Sequence, residues 1–128
     1  MNPYEELEKS IVEATSLDGA ALGLTKLLTG GYSIWTDGSL YNIKQLVDRI
    51  GGLKIVVYAN EHPPPHFHVK SPDVDAVFTI DECIYIRGNI DGREQRLVKW
   101  WHDRARPQLV HAWNTTRPAD CPVGPIDE

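Results

Sequence analysis

The chain predicts an α+β fold: an antiparallel β-meander of three to four strands, packed by C-terminal helices and preceded by an N-terminal helical extension. Three observations lead there. Apolar residues before position 51 recur at helical spacing, those from 53 to 87 alternate in β-branched runs, and those after 92 return to helical spacing. Glycine, proline and aspartate pairs punctuate the changes. At 128 residues one core is expected, with residues 53–117 as the meander-plus-helix domain, 1–52 as the extension and 118–128 as an irregular tail rich in proline.

Taken in order, Tyr4, Leu7, Ile11 and Ala14 share a helical face, with Pro3 at a position suited to a first turn. Asp18-Gly19 interrupts that pattern, Ala20 to Leu28 forms a second short helix, and Gly30-Gly31 ends it. Residues 32–36 carry no clear period. Thr36-Asp37-Gly38-Ser39 reads as a turn and N-cap before a helix bearing Leu40, Ile43, Leu46, Val47 and Ile50, which Gly51-Gly52 stops.

Leu53, Ile55 and Val57 alternate with Lys54, Val56 and Tyr58, so the first strand of the meander starts here. In the next strand Phe67 and Val69 point one way and His66, His68 and Lys70 the other, which predicts a polar histidine face. Ser71-Pro72-Asp73 is a turn. Ala76, Phe78 and Ile80 alternate in a third strand, and Asp81-Glu82 connects it to a fourth from Cys83 to Arg87. Arg93 to Asp103 is a helix with Leu97, Val98, Trp101 and Ala105 on one side, expected to cover the sheet. Pro107 is expected to break it and open another helix carrying Leu109, Val110 and Trp113.

Composition narrows the function. No apolar run approaches the ~20 residues that span a bilayer. The acidic N-terminus lacks the basic-then-apolar pattern of a secretory signal, so the cytoplasm is the expected compartment. Cys83 and Cys121 form no disulfide framework or CxxC pair. The net charge of −5 argues against non-specific nucleic-acid binding by the whole molecule. Charge is uneven, however. Arg87, Arg93, Arg96, Lys99, Arg104, Arg106 and Arg117 face only Asp91, Glu94 and Asp103 in the same stretch, and such a segment suits phosphate, an acidic partner or the chain's own acidic N-terminus.

The run Glu61-His62-Pro63-Pro64-Pro65-His66-Phe67-His68 concentrates three of five histidines beside a stiff proline segment. Imidazoles bind zinc, and Glu61, Asp73 or Asp75 could add oxygen. A trans triproline at ~3.1 Å per residue nevertheless sets His62 on the order of 12 Å from His66, too far for a three-histidine site. A divalent metal on His66 and His68 is therefore the less favoured reading, and no cofactor is expected. Metal-free phosphodiester chemistry would use His66 and His68 as acid and base with Arg87 stabilising charge. Lys70, Arg96, Lys99 and Arg106 would then follow an RNA backbone, with Trp100 as a stacking surface. The plain alternative leaves Glu61, His62, Pro63, Pro64 and Pro65 shaping a loop, His66 and His68 bonded to backbone, and the basic side chains as a solvated helix face.

The stretch from Gly51 to Val69, GGLKIVVYANEHPPPHFHV, followed by Ala112-Trp113, resembles the small bacterial proteins grouped as domain of unknown function 4160, over roughly residues 49 to 115. The resemblance implies a compact β-meander with C-terminal helices, in a family often encoded beside a small partner protein and suspected of belonging to toxin–antitoxin-like modules. It brings no established catalytic assignment, and typical members begin near the first strand. Three expectations follow: an accessory protein of such a system that binds RNA or cleaves it as a metal-independent ribonuclease; a non-catalytic module that binds a small cognate protein through the acidic extension or an open sheet edge; or a small metal-binding protein.

Overall fold

The computed structural model describes residues 3–30, 32–42, 53–57, 64–72 and 74–116. Helices α1 (Pro3–Val12) and α2 (Leu17–Thr29) come first, followed by a hairpin of β1 (Tyr32–Ile34) and β2 (Leu40–Asn42). Strands β3 (Lys54–Val56), β4 (His66–Lys70), β5 (Asp75–Thr79) and β6 (Tyr85–Asn89) form an antiparallel meander in chain order, and α3 (Gly92–Thr116) closes the fold. The α+β class, the meander and the covering helix all agree with the sequence pattern.

Three elements differ from expectation. Leu40 begins a strand, with Ile34 opposite Leu40 and Tyr32 opposite Asn42. The turn at 36–39 closes a hairpin instead of opening a helix: Gly38 takes φ +90°, and the Asp37 carboxylate accepts from both the backbone and the hydroxyl of Ser39. Ile43, Leu46, Val47 and Ile50 lie outside the described residues. The second difference is Pro107, which sits inside one unbroken helix. It is exposed, so the carbonyl its missing N–H leaves open is on the solvent side, while Ala105, Leu109, Val110 and Trp113 around it are fully buried. Packing on the inner face outweighs the ~3 kcal/mol cost of an interior proline. α3 begins with a reciprocal cap, in which Asp91 Oδ1 accepts from Glu94 N–H and Glu94 Oε1 accepts from Asp91 N–H. Asp18-Gly19 also falls within α2, which is capped by the Ser16 hydroxyl accepting from Gly19 N–H.

α3 is the central element. On one side it meets the sheet face built from Ile55, Phe67, Val69, Ala76 and Phe78, with the Phe67 ring 6.0 Å from Trp101 and 6.1 Å from His102. On another side it packs against α1, α2 and β1. Leu7, Ile11, Leu24, Leu27 and Leu28 from the N-terminal helices join the same core cluster as Phe67, Trp101 and Trp113. Polar links reinforce the packing: Trp101 Nε1 donates to Ala20 O at 2.7 Å, Gln108 Nε2 to Ala14 O at 2.8 Å and Arg93 Nη1 to Tyr32 O at 2.7 Å. α1 and α2 approach so closely that a Cβ on Gly23 would lie 2.3 Å from the Ile11 side chain.

β6 pairs with β5 through Phe78–Tyr85, Val77–Arg87, Ala76–Gly88 and Asp75–Asn89, so Ile86 is the extra residue of a bulge. Gly88 holds φ +120°, where a Cβ would stand 2.2 Å from Asp75 O and 2.5 Å from Ala76 Cα. Gly88→Ala should therefore lower stability by about 2 kcal/mol or more, read as a reduced urea midpoint at unchanged slope. Pro107→Ala, which restores a helical N–H, should raise stability by up to about 3 kcal/mol in the same assay.

Candidate functional site

The sheet register decides which of the flagged residues meet. His66 and His68 share the face turned away from Phe67, and their rings lie 5.3 Å apart. Both are buried, at 6 % and 9 % exposure, so the polar face that alternation predicts is covered where the two rings lie. His66 Nδ1 donates to Pro64 O at 2.7 Å, and its ring lies 6.3 Å from Trp113. That bond uses the histidine to set the chain's entry into β4, and Ile80 N–H, donating to Pro65 O at 3.0 Å, fixes the same corner from β5.

Arg87 stands in the same cross-strand row, because His68 opposes Val77 and Val77 opposes Arg87. Two strand spacings of ~4.8 Å separate them. Arg87 is exposed at the sheet edge while His68 is buried, so this register brings the two histidines together but does not bring Arg87 to them. Lys70 lies further along β4 opposite Asp75. Glu61, His62, Pro63 and Asp73 lie outside the described residues, and Pro64 and Pro65 lead into β4. Among the described residues no three His, Cys, Asp or Glu side chains gather closely enough to hold a metal ion.

The basic set on α3 divides. Trp100 is 8 % exposed and Arg104 lies over its ring at 3.7 Å, so its face is covered instead of open for stacking. Arg104 in turn meets Glu8 of α1 at 2.9 Å. Arg106 is held by the Asp81 carboxylate at 2.9 Å. Arg96 and Lys99 remain exposed, and no described residue holds either in an ion pair. They form a ridge between two grooves. One, of about 300 Å³, runs beside Ile34 and Gly38 of the β1–β2 hairpin; the other, of about 440 Å³, runs beside Phe78, Cys83, Ile84 and Tyr85.

Other exposed residues were not singled out by sequence reasoning. Trp35, stacked on Tyr41 at 4.3 Å, is 57 % exposed, in the stretch where no period was legible. Ile84, Tyr85 and Ile86 are exposed as well, and every residue of β6 is open to solvent. One sequence signal could have found β6: the last strand of a meander followed by a helix start has no later strand to cover it.

Residues 52–114 match the family model described as Domain of unknown function (DUF4160). This segment is a DUF4160 domain. No curated protein and no solved structure matches the chain. The DUF4160 segment holds β3 to β6 and nearly all of α3, hence the buried histidine pair, the α3 ridge and the β6 edge; α1, α2 and the hairpin lie before it. No helix of the described residues is long and apolar enough to cross a membrane.

Two further groups in the DUF4160 segment bear on chemistry. Burial pushes the Cys83 thiol up to about 12, which removes it as a nucleophile near neutrality. His102, 3 % exposed, donates from Nε2 to Ile80 O, and burial lowers its pKa below the ordinary 6.5. The unfolded chain therefore binds a proton more readily at this position than the folded one. Its contribution to stability is complete above pH 6.5 and declines as pH falls from there toward the depressed folded value. Urea unfolding between pH 8 and pH 5 should show this acid-side loss, and His102→Gln, which keeps a donor without a titration, should flatten it.

Proposed function

We propose that the protein is a non-catalytic binding module that takes an extended segment of a small cognate protein onto β6 as an added strand. The observation that carries this reading is the edge itself: β6 terminates the four-stranded order, all five of its residues are exposed, and Ile84 and Ile86 present 56 % and 38 % of their surface to solvent. An unpaired strand edge offers backbone donors and acceptors in ladder geometry, and the flanking side chains supply selectivity. His66 and His68 then shape the corner into β4. A cytoplasmic toxin–antitoxin-like pair, the setting the family resemblance implies, would supply such a partner.

Single-stranded RNA along α3 is a second reading, favoured by the exposed cations Arg96 and Lys99. It is a reading of binding, not of cleavage. General acid–base chemistry needs its imidazoles within reach of the bound phosphate, and the His66 and His68 rings are both buried.

A photo-crosslinking residue in place of Ile86, compared in cells with one in place of the exposed Leu22 on α2, separates the readings. Strand addition predicts one dominant protein adduct at position 86, absent at position 22. An adduct that ribonuclease removes favours RNA, and no adduct at position 86 overturns the strand-addition reading.

A further inference from the structure

We infer that the segment taken by β6 is acidic, with aliphatic residues between its carboxylates. This rests on the strand-addition reading and goes beyond it, because an edge alone pairs with any backbone. The selectivity lies in what flanks that edge on its two faces.

On the α3 side, Tyr85 opposes Phe78 and so turns toward the groove of about 440 Å³ that Phe78, Cys83, Ile84, Tyr85, Arg96 and Lys99 line. Among the described residues no carboxylate lines this groove, in a chain whose net charge is −5. Its floor is apolar and its far wall is cationic. On the opposite side, Arg87 opposes Val77 and points with the histidine face. A strand added ~4.8 Å beyond β6 alternates its side chains between the two faces. One parity then meets Arg96, Lys99 and the apolar floor, and the other runs beside Arg87. Carboxylates of either parity find a cation and aliphatic side chains find Tyr85 and Ile84, whereas lysine or arginine meets repulsion from Arg96 and Lys99 on the α3 side; on the other face Asp75, exposed and opposite Asn89, lies beside Arg87 and makes that side the less selective one.

A second copy of this chain fits poorly. Antiparallel pairing of two β6 strands sets Arg87 across from or diagonal to its own copy, and Tyr85–Asn89 contains no carboxylate to balance them.

The test uses the full chain, isotope-labelled, and three octapeptides of alternating valine with glutamate, glutamine or lysine. Amide shifts of residues 84–89 locate binding and give Kd. The inference expects the glutamate peptide to bind at β6 at least tenfold more tightly than either other peptide. Two further results are expected: the advantage disappears in Arg96→Glu/Lys99→Glu, and binding is lost when one or the other alternate set of peptide N–H groups is methylated. Equal affinity of the glutamine peptide, still sensitive to N-methylation, overturns the acidic preference and leaves strand addition standing. If no peptide moves the β6 amides, or N-methylation of neither set matters, both fail. Concentration-dependent shifts at β6 without peptide, with a dimer in sedimentation, overturn the inference in favour of self-pairing.

Discussion

The fold depends on the burial of Trp101 at the middle of α3. Its indole is fully buried, with the Phe67 ring of the sheet 6.0 Å away and its N–H donating to the Ala20 carbonyl of α2. One side chain therefore ties the meander to the N-terminal helices. The bond matters as much as the area, since an indole N–H buried without an acceptor costs about 1–3 kcal/mol. Because α2 supplies that acceptor, the residues before the DUF4160 segment are part of what completes its core.

From this constraint the free surfaces follow. α3 covers the Phe67 face and holds the β5–β6 connection through His102 to Ile80 and Arg106 to Asp81. Those contacts fix the start of β6, yet α3 follows β6 directly in the chain and leaves its outer edge open. The edge carries features that resist indiscriminate pairing: a bulge at Ile86, the cation Arg87 and a glycine at positive φ. The Tyr85 hydroxyl also donates to Gly88 O at 2.6 Å, so an incoming strand competes with a bond already made. An edge so equipped favours a partner that compensates its charge.

Much of this architecture was legible in the chain. Two-residue alternation from 53 to 87 located the four-stranded meander, and the spacing of Leu97, Val98, Trp101 and Ala105 located the buried side of α3. Where sequence reading failed, the cause was tertiary. Pro107 signals a break by local chemistry, but burial of Leu109 and Trp113, in the i+4 row of Trp101 and Ala105, keeps the helix whole. Leu40 fits a helical period, but the Asp37–Ser39 turn folds it back onto Ile34.

By itself the sequence determined the fold class, the placement of His66 and His68 on one sheet face, and the concentration of cations near α3, because period and composition are local properties. Only the tertiary structure decided which of those groups stay accessible. Alternation could put His66 and His68 on a face without telling that both rings are buried, and helical spacing could gather Arg96, Lys99, Trp100 and Arg106 without telling that Asp81 holds Arg106 and Arg104 covers Trp100. Burial and charge pairing arise from contacts between residues far apart in the chain, and those exist only once α3 has docked.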